Sequence, residues 1–232
     1  MELIPPNYKF GGRSVRGDVV LFASPARKRR GEVTMLIHDV EQRTPEWLAL
    51  RRGIPTASQF CKIITSRGQA SIQAEAYKNA LIAELEMEEN YKSFGGSIWT
   101  ERGNELEPEA VRCYERRMQI ETVKVGFITD SDRTMGCSPD RLVGADGLLE
   151  VKCPAPHTHA KYLCARSIDM RYYPQVQGQM FITGRKWVDF FSYHPDQPHL
   201  SVRIFRDEPY LAILDELLRI FIKTLNNGRN RH

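Results

Sequence analysis

Apolar residues recur at three- and four-residue intervals in several parts of the chain, as at Leu106, Ala110 and Tyr114. This spacing is the period of a helix with one buried face, so each such stretch predicts a helix. The predicted helices cover residues 56–64, 71–88, 99–118, 157–168 and 172–183, with a short helix opened by Thr44 and Pro45 and a final amphipathic helix capped by Asp207.

The stretch after residue 120 and a second region after residue 185 have a different pattern of apolar and polar residues. They contain short runs of β-branched and aromatic residues bounded by turn residues, which is typical of strands. The predicted strands cover residues 121–128, 133–137, 148–153, 186–193 and 200–205. Helices before and after these strands predict an α/β fold, with a central mixed β-sheet flanked by helices. No internal repeat interrupts residues 35–232, which we interpret as a single domain.

A predicted β-hairpin carries the most informative side chains. Ser138-Pro-Asp140 precedes a glycine-flanked turn and Glu150-Val-Lys152 follows it, so closing the hairpin brings Asp140 beside Glu150. Glu150 and Lys152 are two residues apart and therefore point to the same face of a strand. Two adjacent carboxylates suit a hard cation such as Mg²⁺, and a nearby lysine can orient or deprotonate a metal-bound water. The pattern predicts phosphodiester hydrolysis; the alternative is a solvated hairpin with weak cross-strand charge pairs.

Charge is distributed unevenly along the 232 residues. The formal net charge of +4 belongs to residues 1–34, since residues 35–232 contain 26 basic and 26 acidic side chains. We interpret residues 1–34 as a flexible basic extension that precedes the domain. No apolar run has transmembrane length and no signal-peptide pattern is present, which predicts a soluble intracellular protein. Five cysteines without a Cys-x-x-Cys pair predict core thiols rather than disulfides or zinc ligands.

Further motifs extend the pattern beyond the hairpin. They are Trp47-Leu-Ala-Leu-Arg51-Arg-Gly-Ile-Pro-Thr-Ala-Ser58, Gly103-Asn-Glu-Leu-Glu107, Thr134-Met-Gly-Cys-Ser138-Pro-Asp140, Leu149-Glu150-Val-Lys152-Cys-Pro154 and Tyr173-Pro-Gln175-Val-Gln177. Together they resemble the PD-(D/E)xK nuclease superfamily and, within it, the λ exonuclease (YqaJ-type viral recombinase) family. The resemblance covers roughly residues 35–226 and implies the PD-(D/E)xK nuclease fold.

The resemblance also implies an activity. Members of this family are Mg²⁺-dependent exonucleases that degrade the 5′-ended strand of double-stranded DNA and leave 3′ overhangs for recombination; Mn²⁺ is expected to substitute for Mg²⁺. By the same resemblance we expect a homotrimeric ring around DNA, a single-strand annealing protein as partner, and a cytoplasmic location in a bacterial or phage-infected cell. A ring requires head-to-tail interfaces between copies of the chain.

Chemistry and resemblance together assign the candidate catalytic residues. They are Glu107, Asp140, Glu150, Lys152 and Gln175. Asp140 and Glu150 are the expected metal ligands, with the backbone carbonyl of Val151 as a third oxygen donor. Lys152 is expected to hold the attacking water and to meet the scissile phosphate. Gln175 would hydrogen-bond the water or the lysine, and Glu107 would complete the acidic cluster.

The resemblance implies a pocket for the terminal 5′-phosphate. Its residues here are Arg51, Ser58 and Ser138. A guanidinium offers two donors to phosphate oxygens, and a serine near a helix N-terminus adds a hydroxyl and free amides. The family usually supplies a second basic residue downstream of Lys152. Thr158 occupies that position, so either a neighbouring histidine (His157 or His159) replaces it or the phosphate is held more weakly.

Other interpretations of these residues stay open at this point. Gln175, Gln177 and Gln179 could form a polar helix surface, and Asp130, which also matches an acidic family position, could be an ordinary turn residue. Trp47 fits a core or docking residue better than a wedge between bases. As whole-chain alternatives we weigh an endonuclease of the same superfamily and a catalytically inactive DNA-end-binding module.

Overall fold

The computed structural model describes residues 35–86 and 98–229, together with the backbone pair Val19–Val20. Its helices are α1 (Pro45–Arg51), α2 (Ala74–Glu86), α3 (Ile98–Met118), α4 (Pro156–Ala165), α5 (Tyr173–Thr183) and α6 (Glu208–Arg229), with two 3₁₀ segments at Ala57–Lys62 and Met170–Tyr172. Its strands are β1 (Val19–Val20), β2 (Met35–His38), β3 (Thr122–Val123), β4 (Phe127–Asp130), β5 (Gly136–Cys137), β6 (Arg141–Val143), β7 (Gly147–Lys152), β8 (Trp187–Ser192) and β9 (Leu200–Phe205).

These strands form two sheets. The five-stranded sheet has the order β3-β6-β7-β8-β9, in which only β7 and β8 are parallel, and the four-stranded sheet has the order β1-β2-β4-β5. The parallel pair requires a crossover, which α4 and α5 provide. The expected mixed sheet flanked by helices is confirmed. The expected flexible extension lies outside the described residues, except for β1, whose backbone pairs with β2.

Helices cover both faces of β7, the central strand. Leu148 packs into one hydrophobic cluster with Val176 and Met180 of α5. Leu149 packs into a second cluster with residues of α3, among them Tyr114. Because side chains alternate along a strand, even-numbered residues of β7 face α5 and odd-numbered residues face α3. This alternation decides which helix each candidate residue of β7 meets.

Local signals for several helix ends are confirmed. The Thr44 hydroxyl accepts the backbone N–H of Trp47, and Pro45 occupies the first turn of α1. The Asp207 carboxylate accepts the N–H of Tyr210 and caps α6. Such side chains satisfy amide groups that have no partner within the helix, which is why they mark where helices begin. The segment predicted as a helix over 56–64 is shorter and tighter, a 3₁₀ segment.

The predicted strand over 121–128 is wrong in extent, because the chain changes sheets within it. Thr122 and Val123 pair with β6 in the five-stranded sheet, whereas β4 pairs with β2 in the other sheet. At the crossing, Gly126 lies so close to the carbonyl oxygens of His38 and Val40 that a Cβ atom would clash with them. One continuous strand cannot pass from the five-stranded sheet into the four-stranded sheet in this way.

The predicted strand over 133–137 is also too long, because its first half is a turn. Arg133 adopts a positive φ of 54°, a conformation that strands do not use. The Asp130 carboxylate accepts the backbone N–H groups of Thr134 and Met135 and thereby fixes the turn. This arrangement supports the interpretation of Asp130 as a turn residue.

The expectation of core thiols is correct only in part. Cys137 and Cys153 are buried, Cys113 is half-buried, and Cys61 and Cys164 are exposed; all five are free thiols. Within the described residues, no helix is long and apolar enough to cross a membrane.

Gly147 provides a test of how tightly the sheet packs. A Cβ atom on Gly147 would overlap the ring of Trp187, whose ring is also stacked against the guanidinium of Arg203 at 3.7 Å. We expect Gly147→Ala to lower the free energy of unfolding by about 1–3 kcal/mol through overpacking. Denaturant melting measures this loss. Gly144→Asn is the matched control, because Gly144 in the same hairpin has a φ of 53° that asparagine tolerates and open space around it. Equal free energies of unfolding for the two variants would contradict this packing.

Candidate active site

The hairpin places Asp140 directly opposite Glu150. Arg141 pairs with Leu149 in the antiparallel ladder of β6 and β7, so Asp140, one residue earlier, faces Glu150. The Asp140 Oδ2 atom accepts the backbone N–H of Val151 at 2.6 Å. In an antiparallel ladder, the N–H and C=O of a residue point to the same side. The Val151 carbonyl therefore faces the side of β7 on which Asp140 lies, as its predicted role requires.

Glu150 is buried and held by three donors. Its Oε1 atom accepts Lys152 Nζ at 2.5 Å and Gln175 Nε2 at 2.6 Å, and its Oε2 atom accepts Gln179 Nε2 at 2.6 Å. The prediction that Glu150 and Lys152 share one face of a strand is confirmed. A buried carboxylate with this many donors keeps one orientation, because any rotation would break a charge-assisted hydrogen bond.

Gln179 is a site residue that sequence reasoning missed. The interpretation of the glutamines as a polar helix surface is wrong, since Gln177 and Gln179 are both buried. Gln177 binds backbone groups of Phe205 and Asp207, whereas Gln179 binds Glu150. The spacing contained the signal: Gln179 follows Gln175 by four residues, so the two lie on the same face of α5.

Glu107 approaches the site from α3 and is not a solvated helix carboxylate. It forms ion pairs with Arg43 at 2.7 Å and Arg141 at 3.6 Å, and its side chain is 16% exposed. Its negative charge is one of the influences that raise the pKa of Asp140, so the two carboxylates lie near each other. Glu105, two residues earlier, is exposed. The arginine partners of Glu107 could not be read from the sequence, because they lie on distant segments.

The pKa values of Asp140 and Lys152 are both shifted in this site. Burial, together with the charge of Glu150, raises the pKa of Asp140 well above its usual range. Burial alone would lower the pKa of Lys152, but the charges of Glu150 and Asp140 outweigh it and the pKa of the lysine rises. Lys152 is therefore a cation at neutral pH in this arrangement, and it donates a hydrogen bond to Glu150.

The donor set fits a hard divalent cation. Asp140, Glu150 and the Val151 carbonyl offer only oxygen atoms, the ligands that Mg²⁺ prefers. No group of three His, Cys, Asp or Glu side chains arranged to hold a metal occurs within residues 35–86 and 102–229. Two carboxylates and one backbone carbonyl suffice for Mg²⁺, because this ion keeps several of its water ligands.

Arg51 and Ser138 of the expected phosphate pocket meet at Trp47. The Trp47 Nε1 atom donates to Ser138 Oγ at 2.9 Å, and the Arg51 guanidinium lies 3.9 Å from the centre of the indole ring. The Arg51 side chain forms no hydrogen bond or ion pair with the residues that the structure describes, and its pKa is lowered by burial. A partly buried guanidinium without an acceptor is suited to bind an anion.

Ser58 lies in the same region, near the start of a 3₁₀ segment rather than of an α-helix. It is exposed and is the second residue of the six-residue 3₁₀ segment, whose N-cap position belongs to Thr56. The Thr56 and Ser58 hydroxyls are 3.3 Å apart, and Thr56 bridges to Gly136, two residues before Ser138. Ser58 is exposed and can therefore offer its hydroxyl to an anion.

The two histidines beside Thr158 differ in environment. His159 is fully buried, with Nδ1 2.7 Å from Ser192 Oγ and Nε2 2.8 Å from the carbonyl oxygen of Pro198. Both of its ring nitrogens are thus occupied within the core, and it cannot replace the family's second basic phosphate contact. His157 is exposed in the first turn of α4.

Fold and site together define the class of protein. A mixed sheet carries an aspartate at the start of a hairpin and Glu-x-Lys on the central strand, and flanking helices add an acidic and an amide side chain to the same place. This combination defines a nuclease of the PD-(D/E)xK type.

Comparison with known proteins gives the family. The model of the YqaJ-like viral recombinase domain matches residues 46–186, and the chain belongs to this family. The alkaline exonuclease LHK-Exo from Laribacter hongkongensis is 30% identical, with a TM-score of 0.72 over 81% of this chain and 95% of its own. A second structure of LHK-Exo, in complex with dAMP, is 31% identical over the same shares with the same TM-score.

A phage-related exonuclease from Haemophilus somnus 129PT has the same fold. It is 16% identical, with a TM-score of 0.58 over 77% of this chain and 96% of its own. No curated protein matches the chain. The family and the alkaline exonucleases together support a nuclease that acts on DNA.

Proposed function

We propose that the chain is a Mg²⁺-dependent exonuclease that acts on double-stranded DNA ends in the 5′-to-3′ direction. It would leave 3′ single-stranded overhangs for recombination by strand annealing. The observation that carries this proposal is the Glu150 carboxylate, which Lys152, Gln175 and Gln179 hold in one orientation beside Asp140. Membership of the recombinase family and the names of the solved relatives support it.

In this proposal Asp140, Glu150 and the carbonyl of Val151 would hold the Mg²⁺ ion, and Mn²⁺ would substitute for it. The bound ion would supply positive charge at the scissile phosphate and a water of lowered pKa. Glu107 adds negative charge from α3, while Arg43 and Arg141 limit that charge.

Lys152 and Gln175 act on the reacting groups. Lys152 donates a hydrogen bond to the attacking water or to a phosphate oxygen, and its charge opposes the negative charge that develops in the transition state. Gln175 contacts the same Glu150 oxygen as Lys152 and holds the lysine side of the carboxylate in place. Water attacks phosphorus and gives up a proton to solvent, and the P–O3′ bond breaks. The 3′-oxygen takes up a proton and leaves as a hydroxyl, and the remaining strand keeps a 5′-phosphate.

The direction of degradation follows from the proposed phosphate pocket. Arg51 offers a partly buried guanidinium that forms no hydrogen bond with the described residues, and Ser138 and Ser58 offer hydroxyl groups. Each cleavage regenerates a 5′-phosphate, which the same pocket can bind again. A preference for phosphorylated 5′ ends is therefore the expected property of the enzyme.

The assembly and the partner belong to the same proposal. We expect a homotrimeric ring that encircles DNA, a single-strand annealing protein that receives the 3′ overhang, and a cytoplasmic location in a bacterial or phage-infected cell. Sedimentation of the purified chain measures the oligomeric state. A monomer at micromolar concentration would contradict the ring.

Digestion of end-labelled duplexes tests the proposed activity. With Mg²⁺ or Mn²⁺, a label at the 5′ end should be released first, and a label at the 3′ end should persist in long single strands. EDTA should stop the degradation. Duplexes with 5′-phosphate ends should be degraded faster than those with 5′-hydroxyl ends. The control substrate is a covalently closed circle, which should remain intact.

Two other results of this digestion would each indicate an alternative function. Rapid cutting of closed circles would identify an endonuclease of the same superfamily. Binding to duplex ends without release of nucleotides would identify an inactive end-binding module.

A further inference from the structure

Trp47 contacts two of the proposed phosphate-binding side chains at once. Its indole N–H donates to Ser138, 91 residues further along the chain, and its ring face lies under the guanidinium of Arg51. Trp47 is itself fixed, because the Thr44 hydroxyl accepts its backbone N–H at the start of α1. Arg51 follows Trp47 by four residues, so both side chains project from the same face of that helix.

The hydrogen bond determines how Ser138 can act. An indole N–H is a donor only, so the Ser138 oxygen must be the acceptor. The hydroxyl proton of Ser138 is then left to donate elsewhere, and among the described residues it has no acceptor. Trp47 thus turns Ser138 into a donor whose proton points away from the indole, which is the role that an anion-binding hydroxyl needs.

The stacking contact determines how Arg51 can act. The Arg51 guanidinium lies over the Trp47 ring with its central carbon 3.9 Å from the ring centre. This contact uses none of the guanidinium N–H groups, which remain available to phosphate oxygens. The part of the chain that the structure describes contains no carboxylate paired with Arg51. Trp47 holds the guanidinium without occupying any of its five donors.

We infer that Trp47 is the positioning residue of the 5′-phosphate pocket and determines how strongly the enzyme distinguishes a 5′-phosphate from a 5′-hydroxyl end. This inference rests on the proposed function. It assigns Trp47 no contact with the reacting atoms, since it acts through Ser138 and Arg51. The contacts that carry it are one hydrogen bond of 2.9 Å and one stack at 3.9 Å.

Two substitutions separate the contacts. Trp47→Phe keeps a ring face for Arg51 and removes the N–H that Ser138 accepts, whereas Trp47→Leu removes both. The measured quantity is the ratio of initial rates on the same duplex with 5′-phosphate and 5′-hydroxyl ends. We expect the ratio to fall about tenfold in Trp47→Phe, equivalent to about 1.4 kcal/mol, and to approach unity in Trp47→Leu. Rates on hydroxyl ends should change little.

Two controls separate positioning from folding. Trp187→Phe alters a second contact between a tryptophan and an arginine, that of Trp187 with Arg203. The ratio of rates in this variant should equal that of the wild type. Ser138→Ala should lower the ratio at least as much as Trp47→Phe, because it removes the hydroxyl itself as well as its bond to Trp47. Adding Trp47→Phe to Ser138→Ala should lower the ratio no further. Thermal melting of each variant reports its folding.

Three outcomes would overturn the inference. The first is a wild-type ratio in folded Trp47→Phe and Trp47→Leu, and the second is an equal loss of rate on both kinds of end. The third is full additivity of Trp47→Phe and Ser138→Ala. A wild-type chain that degrades neither kind of end would overturn the proposed function itself, and the inference with it.

Discussion

Replacing Lys152 with methionine is expected to lower the rate of metal-dependent DNA degradation by about 10²–10⁴-fold, the range that a positioned proton-transfer or donor group contributes. The lysine is 2.5 Å from Glu150 and is kept protonated by the neighbouring carboxylates, which raise its pKa. Methionine keeps the apolar stem and removes the charge. Single-turnover release of labelled nucleotides measures the rate, and fluorescence anisotropy without divalent metal measures DNA binding, which should persist.

Lys186→Met is the matched control for this loss. Lys186 is exposed, pairs with Asp146, and immediately precedes β8. Because β7 and β8 are parallel and Gly147 pairs with Trp187, Lys186 lies at the end of the sheet opposite to Lys152. The control should degrade DNA at the wild-type rate. If Lys152→Met retained a rate within tenfold of the wild type, the proposed role of the lysine would be wrong.

The part of the site that the sequence predicts is the part built by local structure. The hairpin between Asp140 and Glu150 follows from its turn residues, and the shared face of Glu150 and Lys152 follows from strand alternation. Gln175 entered through its family motif, and the structure places it 2.6 Å from Glu150. In each case a short stretch of sequence contains the whole signal.

The part that the sequence does not predict depends on contacts between distant segments. The ion pair of Glu107 with Arg43 joins residues 64 positions apart, and the bond of Trp47 to Ser138 joins residues 91 positions apart. No local pattern marks such partners. The prediction of one strand over 121–128 is wrong for the same reason: the change from one sheet to the other depends on where β2 and β6 lie, not on local composition.

Replacing Asp140 with asparagine is expected to abolish metal-dependent degradation and, at neutral pH, to stabilise the metal-free protein. Asparagine keeps an oxygen to accept the N–H of Val151 but loses the charge that would hold the ion. In the metal-free wild type, burial and the charge of Glu150 raise the pKa of Asp140, so ionisation of this carboxyl opposes folding. The asparagine variant does not incur this cost.

The sign of the pH dependence follows from the raised pKa. Below the ordinary aspartate pKa of about 3.9, Asp140 is protonated in both the folded and the unfolded state, so ionisation contributes nothing. As the pH rises, the unfolded chain ionises first and the stability of the wild type falls relative to Asp140→Asn, until the pH exceeds the folded pKa. The difference in Tm between variant and wild type without metal should therefore grow from acidic to neutral pH.

Metal binding provides the third readout of the same variant. A ligand that binds only the folded state raises the Tm, so Mg²⁺ or Mn²⁺ should stabilise the wild type and leave Asp140→Asn unchanged. Asp146→Asn is the matched control, because this half-exposed residue lies in the same hairpin and pairs only with Lys186 among the described residues. It should retain both the metal-induced rise in Tm and the activity. If the metal raised the Tm of Asp140→Asn as much as it raises the Tm of the wild type, the ion would bind elsewhere. The Asp140 carboxylate would then not be one of its ligands.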